Sequence, residues 1–293
     1  MGTKTPERLL RPQKEFYIIS NTHRRMMDWV ARRSKDGDII NIVVEGPHGC
    51  GKSELVSQFA AHHDRPLAVI EVGLKAEAAE WFGKVDIVDG NTVYEPSIFT
   101  EAIQTPGCVV HLQELNRPEQ DSTLNSVFSV LDPKQRSLYH DEWGTRINVA
   151  PGVVIFATMN SGYEFIGTIP LDEALRVRFA IKLRLNYPQP QQEATILTNA
   201  VKDLHTSDAV YITGIIDRIR YNTKHPLDVS IRTSITIAQM YQDNISLYTA
   251  LNATIAAEPA ALESVLVELS LSSIQQDKFG DSTEIIDAGS EPW

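Results

Sequence analysis

A run of eight residues near the start of the chain has the residue types and the spacing that bind phosphate groups. It fits the pattern G-x-x-x-x-G-K-[S/T] at every fixed position, and its residues are Gly46, Pro47, His48, Gly49, Cys50, Gly51, Lys52 and Ser53. Glycine lets successive backbone N–H groups converge on a phosphate at the start of a helix. Lys52 is expected to reach the β- and γ-phosphates, and the Ser53 hydroxyl to ligate Mg²⁺. We therefore predict a site for ATP and Mg²⁺ in this phosphate loop, residues 46–53.

Hydrolysis at such a site also needs an acidic pair at the end of a second strand. One carboxylate steadies the Mg²⁺ shell and the other polarises the attacking water. Glu114 follows the apolar run 108–112 and stands where the catalytic base is expected, while Gln113 stands where the metal-supporting Asp is expected. A neutral amide can accept a hydrogen bond from a metal-bound water but adds no charge. We therefore expect weaker Mg²⁺ retention and slower hydrolysis, with nucleotide binding kept. The alternative is that Glu114 is only a solvent-exposed carboxylate at a strand end.

A third polar residue ends another apolar run. Asn160 follows residues 153–158, and its amide could hydrogen-bond the attacking water and the γ-phosphate. Asparagine is also common simply as a turn residue after a strand. Asn160 follows the phosphate loop and Glu114 along the chain, and this order favours the functional interpretation.

These residues need a sheet that brings strand ends together. Apolar, β-branched runs of the kind buried on both faces of a parallel sheet occur at 39–45, 67–72, 108–112, 153–158 and 180–185. Helical patterns separate them, at 52–61, 96–104, 119–131 and 171–176. This alternation, with the P-loop motif at the end of the first run, predicts a three-layer α/β fold with a parallel five-stranded sheet.

Two segments interrupt the alternation. Residues 85–94 alternate around Asp89-Gly90, which predicts a hairpin, and residues 132–149 indicate a second hairpin or a long loop. Trp81 and Phe82 precede the first hairpin and either pack beneath it or face a pore. Insertions of this kind more often serve function than the core.

The pattern changes after Tyr187. The remainder is helical, at 191–203, 211–222, 232–241 and roughly 246–272, which predicts a small helical lid domain. We therefore divide the chain into an N-terminal arm and helix (1–34), a nucleotide-binding domain (35–187), a helical lid (188–275) and an acidic, disordered tail (276–293).

Composition narrows the function classes. The 293 residues are 42% hydrophobic and 22% charged, and the formal net charge is −11, which argues against a nucleic-acid partner. No segment is apolar and long enough for a membrane span, and the start of the chain lacks a signal-peptide core, so a cytoplasmic location is expected. Cys50 and Cys108 have no metal-ligand spacing and are expected to be reduced structural thiols.

Four pieces in this order resemble one known family. They are the phosphate loop, the run Gln113-Glu114-Leu115-Asn116-Arg117, the strand end Ala157-Thr158-Met159-Asn160, and residues 167–179. Over about residues 17–240 the chain resembles the MoxR-type AAA+ ATPases. Their relatives include the NorQ and CbbQ activators of nitric oxide reductase and Rubisco, and the cobaltochelatase small subunit.

The resemblance implies roles for further residues. Asn160 matches the family's sensor 1, and Arg178 matches the arginine finger that reaches a neighbouring subunit's nucleotide, with Arg176 as the second candidate. Arg232, at the start of a lid helix, matches the sensor 2 arginine that touches the γ-phosphate. The alternative for each arginine is that it is an exposed surface residue without a functional role. The 85–94 hairpin matches the insert that points at a ring's pore, and residues 132–149 match the hairpin before sensor 1.

Three functions are compatible with these residues. The first is an ATPase that assembles as a ring, a hexamer, and remodels or activates a partner protein, which by resemblance is a von Willebrand type A domain protein. The second is a nucleotide-binding assembly or regulatory subunit with little hydrolysis, which Gln113 favours. The third, a nucleic-acid motor, is disfavoured by the negative charge and would need the basic N-terminal arm to line a pore.

Overall fold

The computed structural model describes residues 6–75, 77–118, 124–125, 127–140, 144–160, 173–255 and 259–268. The chain divides into two compact units, Met1–Tyr187 and Pro188–Trp293. Each unit has its own cluster of buried apolar side chains. The acidic segment 276–293 and residues 161–172 lie outside the described residues.

The described part of the first unit alternates strands and helices. Its elements are, in chain order, α1 (Asn21–Lys35), β1 (Asn41–Gly46), α2 (Lys52–His62), β2 (Leu67–Glu71), β3 (Gly83–Val88), β4 (Asn91–Pro96), α3 (Ile98–Gln104), β5 (Val109–Gln113), α4 (Phe128–Leu131), β6 (Ser137–His140), β7 (Thr145–Asn148), β8 (Val154–Asn160), α5 (Glu173–Arg176) and β9 (Ile181–Arg184).

Five of these strands form the central parallel sheet, in the order β2-β5-β8-β1-β9. Residues of β1, β5 and β8 are almost all buried, as expected for strands covered on both faces. The predicted parallel five-stranded sheet is therefore confirmed. Each strand begins within two residues of the apolar run that predicted it.

Two antiparallel hairpins interrupt the alternation where the sequence indicated them. Strands β3 and β4 pair around Asp89 and Gly90, whose positive φ angles (51° and 77°) are those of a tight two-residue hairpin turn. Strands β6 and β7 form the second hairpin. Trp81 and Phe82 are buried and pack edge-on against the Phe99 ring, so they support the first hairpin from below.

The N-terminal arm lies along the edge of the sheet. Leu10 exchanges two backbone hydrogen bonds with Leu67 of β2 (2.8 and 3.0 Å), which covers an otherwise open strand edge. The arm continues to α2, where the Gln58 side chain bonds the backbone of Gln13 and Glu15. Helix α1 then begins after Ser20, whose hydroxyl accepts from the N–H of His23 at 3.1 Å.

In the described part of the second unit, helices joined by loops are the secondary structure. Its helices are α6 (Pro190–Ala200), α7 (Thr206–Arg220), α8 (Ile231–Gln242), α9 (Leu247–Thr254) and α10 (Pro259–Glu268). Among the described residues, no helix of either unit combines the length and apolarity needed to cross a membrane.

Two predicted helix boundaries were wrong, and a third lies partly outside the described residues. The single stretch 246–272 is two helices, because Pro259 begins a new one and disfavours helical geometry at the residue before it. Helix α7 begins five residues earlier than predicted, since its polar first turn hides the apolar periodicity. Of the predicted helix 119–131, the structure describes α4 and residues 124–125 as helical, while residues 119–123 lie outside the described part.

Candidate nucleotide-binding site

The phosphate loop connects the end of β1 to the start of α2, as the motif requires. Gly49 and Gly51 have φ angles of 67° and 96°, a left-handed conformation that glycine adopts without strain. A Cβ on Gly46 would collide with the Leu185 carbonyl oxygen and lie 2.9 Å from the Cys50 sulfur. The backbone therefore favours glycine at each of these three positions of the loop, as a phosphate-binding loop requires.

Lys52 is buried at the first turn of α2. Its ammonium donates hydrogen bonds to the carbonyl oxygens of Gly46 (3.0 Å) and Pro47 (2.7 Å) and to the Oδ1 atom of Asn160 (2.8 Å). A buried ammonium needs such partners, because desolvation disfavours the charge. The structure thus brings Lys52 and Asn160 into direct contact although 108 residues separate them.

Strand register explains this meeting. Gly46 of β1 pairs with Asn160 of β8, and β5 lies on the other side of β8. The carboxyl ends of three adjacent parallel strands therefore meet at one edge of the sheet. In open α/β sheets that edge is where ligands bind.

Gln113 ends β5 at this edge. Its Nε2 atom donates a hydrogen bond to the Ser53 hydroxyl oxygen at 3.3 Å. Ser53 and Gln113, which with Glu114 are the residues assigned to the metal from the sequence, lie side by side. The glycine cradle and this pair of oxygen-bearing side chains fit a nucleotide with Mg²⁺, for which oxygen ligands are preferred.

Glu114 follows with an unusual backbone. Its φ angle is 53°, a left-handed conformation that costs a non-glycine residue free energy and occurs more often at functional sites. Hydrogen bonds fix the turn on both sides, since the Leu115 N–H donates to the Thr158 carbonyl and the Arg117 N–H to the Glu114 carbonyl. The Glu114 carboxylate is about half exposed and pairs with Arg117 at 3.2 Å.

Asn116 is a site residue to which the sequence analysis gave no role. Its Nδ2 atom donates to the backbone carbonyl of Asn160 at 3.2 Å, and the side chain is buried. The amide therefore fixes the strand end that carries Asn160. Its place in the Glu-Leu-Asn-Arg run was the available signal.

Two tyrosines outside the motif also contact the phosphate loop. Tyr187 Oη donates to the His48 carbonyl at 2.7 Å, and Tyr17 Oη to the Gly51 carbonyl at 3.4 Å. Burial raises the pKa of the Tyr17 phenol, so it stays a neutral donor. The sequence carried no local signal for either contact.

The thiols and the central histidine do not take part in this chemistry. Burial raises the pKa of the Cys50 thiol, and that of Cys108 to about 12, so both remain protonated, as expected of structural cysteines. Burial lowers the pKa of His111 to about 4, and its Nε2 lies 3.1 Å from the Thr158 hydroxyl. His111 is a buried core residue of β5 whose ring has a hydrogen-bond partner. Within the described ranges, no cluster of three or more His, Cys, Asp or Glu side chains could hold a metal.

Arg176 and Arg178 lie at the opposite end of the sheet. The Arg178 carbonyl accepts from the Asn41 amide at 2.9 Å, at the first residue of β1. Five residues of strand at about 3.3 Å each separate Asn41 from Gly46, roughly 17 Å. The Arg178 backbone therefore lies far from the phosphate loop of its own chain.

The two arginines differ in their surroundings. The Arg178 guanidinium lies over the Phe128 ring (4.8 Å to the centroid) and 3.8 Å from the Asp132 carboxylate. Arg176 is half exposed and pairs with Glu173 one helical turn away at 3.4 Å.

Arg232 belongs to the second unit, where it is exposed in the first turn of α8.

Comparison with known protein sequences agrees with a nucleotide-binding site of this kind. Residues 41–179 match the AAA domain of the dynein-related subfamily. BssE of Thauera aromatica, a protein named as a candidate chaperone, is 37% identical over 254 residues, which cover 87% of each chain. NorQ of Paracoccus denitrificans is 31% identical over 156 residues, 53% of this chain and 56% of its own.

Solved structures agree on the fold. The Thermotoga maritima RuvB Holliday junction branch migration motor aligns with a TM-score of 0.54 at 18% identity, over 89% of this chain and 74% of its own. The FIGL-1 AAA domain in complex with ADP aligns with a TM-score of 0.56 at 14% identity, over 94% and 95%. At such identities the likeness shows the shared fold alone.

Proposed function

This chain belongs to the MoxR-type AAA+ ATPases, and from that premise we propose that it hydrolyses ATP with Mg²⁺ and uses the cycle to remodel or activate a partner protein. The observation that supports this best is that Lys52, Asn160, Ser53 and Gln113 meet at the carboxyl ends of adjacent parallel strands. A residue set of this kind is what phosphoryl transfer to water requires.

Each side chain has a role in the proposed reaction. Lys52 exchanges its loop carbonyl partners for the β- and γ-phosphate oxygens, and Asn160 turns its amide to the attacking water. Glu114 takes the proton of that water. Ser53 and Gln113 would hold Mg²⁺, with Glu114 beside them, and the ion would neutralise phosphate charge.

The remote arginines support a ring. Because the Arg178 backbone lies at the far end of β1, roughly 17 Å along the strand from the phosphate loop, we infer that an arginine finger at this turn acts on a neighbouring copy. Head-to-tail contacts of this kind close into rings. We propose a homohexamer in which Arg178, or Arg176 in its place, stabilises the transferring phosphoryl group, and in which Arg232 contacts the γ-phosphate.

The partner protein is proposed from the relatives and from one surface. BssE is named as a candidate chaperone and NirQ of Pseudomonas aeruginosa as a denitrification regulatory protein, which suits a factor that acts on other proteins. The β3–β4 hairpin exposes Val85 and Ile87 on one face and Val93 on the other, and these apolar side chains suit contact with a protein segment. We propose a von Willebrand type A domain protein as this partner.

The alternative is a nucleotide-bound assembly subunit with little turnover. Gln113 supports it, because the amide gives the metal site no negative charge. The left-handed backbone of Glu114 favours the enzyme, because a scaffold has no need of a strained residue at the position of the base.

Steady-state ATP hydrolysis with Mg²⁺ separates the two. We expect turnover in the wild type, its loss in Glu114→Gln, and faster turnover in Gln113→Asp, with ATP binding measured for each. Wild-type binding without turnover above Glu114→Gln would refute the enzyme and leave the assembly subunit.

A further inference from the structure

Helix α1 is strongly basic, although the chain as a whole is acidic. The helix has five Lys or Arg residues and one Asp, a formal charge of +4, whereas the whole chain has −11. Its first turn contains no acidic residue, so the positive end of the helix dipole is not complemented there. This excess of positive charge does not stabilise the helix, and it calls for another reason.

The exposed side of α1 has an aromatic side chain at its centre, between two arginines. Arg25, Trp29 and Arg32 are exposed and occupy positions i, i+4 and i+7, which places them on one side of the helix. Trp29 is 44% exposed. We call these three residues the α1 face. The opposite side holds the helix to the first unit through four buried residues, Met27, Val30, Ala31 and Ser34.

The arginines of the α1 face are available to a partner. No carboxylate of the described residues lies within 4 Å of the Arg25 or Arg32 guanidinium. Asp28 is the one acid of the helix, and its carboxylate lies 3.7 Å from the His63 ring instead. Trp and Arg are the residue types that most often dominate the binding energy of protein interfaces. The α1 face therefore combines two cations and an aromatic side chain suited to binding.

The chemistry of the face favours a protein as its ligand. A membrane surface would need the apolar side of the helix, and that side is buried in the first unit. A nucleic acid carries negative charge along its whole length, and the net charge of −11 repels it. A protein segment with a few carboxylates beside an apolar side chain complements the α1 face without that repulsion.

The spacing of the face indicates a helix as the partner segment. Arg25 and Arg32 are seven residues apart, about 10 Å along the helix axis. Side chains on one side of an extended strand recur about every 7 Å, so they fall near 7 or 13 Å. Acidic residues seven positions apart on a second helix have the same spacing as the two arginines. An apolar residue midway between them then lies opposite Trp29.

We propose that the α1 face is a docking site for an acidic helix of a partner protein. This helix has carboxylates at positions i and i+7 and an apolar side chain between them. The carboxylates pair with Arg25 and Arg32, and the apolar side chain packs on Trp29. The inference goes beyond the proposed ATPase and does not depend on hydrolysis.

Binding of a designed helical peptide to the full chain tests the inference. The probe is a fluorescein-labelled Ala/Gln peptide with two Glu residues seven positions apart and Leu between them, and the matched peptide has Gln in place of both Glu. Fluorescence anisotropy measures both affinities. We expect the Glu peptide to bind about tenfold more tightly, as for two exposed ion pairs, and the advantage to shrink as salt is raised. Trp29→Ala should weaken both peptides.

Arginine variants show whether this face reads the charge. Arg25→Gln with Arg32→Gln should abolish the difference between the two peptides. Arg24→Gln with Lys35→Gln is the matched control, because it removes the same charge from the border of the helix and should change the affinity less than about twofold. Gln forms helices about as well as Arg and Lys, so each variant should keep the circular dichroism of the wild type.

Four results would overturn the proposal. Equal binding of the two peptides, or an equal loss in the control pair of variants, would mean that the α1 face does not read carboxylates. A DNA duplex or phosphatidylserine vesicles that bind more tightly than the Glu peptide, and that are lost in the Arg25→Gln, Arg32→Gln variant, would give the face to a different ligand. Dissociation of an oligomer in that variant, measured by sedimentation, would give it to a second copy of the chain.

Discussion

The side-chain amide of Gln113 donates a hydrogen bond to the hydroxyl oxygen of Ser53, at 3.3 Å. The two residues end β5 and begin α2, so a strand tip and a helix start are joined beside the phosphate loop. Ser53 is the proposed Mg²⁺ ligand, and the amide that contacts it carries no charge. The strength of the metal site therefore depends on this one pair.

The first prediction follows from that pair. Gln113→Asp adds a carboxylate next to Ser53, so we expect Mg²⁺ to be needed at a concentration about tenfold lower for half-maximal ATP turnover. Titration of Mg²⁺ at saturating ATP measures this. Gln113→Asn changes length without charge and is the control, which should not lower the Mg²⁺ requirement. Equal requirements in the Asp and Asn variants would show that charge at this position is not what limits the metal.

Gly46 provides a second prediction. A Cβ at this position meets the Leu185 carbonyl, part of a backbone that cannot rotate away, so Gly46→Ala should cost about 1–3 kcal/mol of stability. It should also displace the loop and weaken ATP binding more than tenfold. Urea unfolding and calorimetric titration measure the two effects. Gly214→Ala is the control, since its Cβ meets nothing within 4 Å, and a comparable loss there would contradict the steric argument.

The sequence predicted the central sheet and the phosphate loop because both are local patterns. Buried strands require continuous apolar runs, and a phosphate cradle requires glycines at fixed spacing. Tyr17 and Tyr187 could not be assigned because their contacts depend on which segments the fold brings together. Tyr187 is 139 residues from the carbonyl that it bonds.

A third prediction concerns acid stability. Burial lowers the pKa of His111 from an ordinary value of 6.5 to about 4, so the unfolded chain binds a proton there first as pH falls. The neutral His111 therefore contributes to the free energy of unfolding above about pH 6.5. This contribution is lost between about pH 6.5 and 4, to a total of roughly 3 kcal/mol. Urea unfolding across that range should show a shallower pH dependence in His111→Gln. His62→Gln, which alters an exposed histidine at the end of α2, should keep the wild-type slope.

A fourth prediction concerns Tyr187, whose hydroxyl bonds the His48 carbonyl immediately before the second unit begins. Tyr187→Phe keeps the ring and removes this bond, so the loop loses one fixed point. We expect ATP affinity to fall about three- to tenfold, in line with one hydrogen bond. Calorimetric titration measures this, and Tyr211→Phe, on an exposed tyrosine, is the control. Unchanged affinity in Tyr187→Phe would mean that other contacts hold the loop.

The last prediction tests whether Arg178 acts between copies of the chain. Its carbonyl is bonded to Asn41 at the far end of β1, and its guanidinium contacts Phe128 and Asp132, so we expect it to reach a nucleotide only on a neighbouring copy. Arg178→Ala should lower ATP turnover about a thousandfold, with ATP binding kept, whereas Arg176→Ala should lower it little. Mixing Arg178→Ala with Lys52→Ala should restore part of the turnover, because the second protein binds no nucleotide but still offers its arginine to a neighbour. Recovery in the mixture with loss in each protein alone establishes action in trans. If Arg176→Ala is the inactive variant and Arg178→Ala is not, the finger is Arg176, and the contacts of Arg178 with Phe128 and Asp132 are structural.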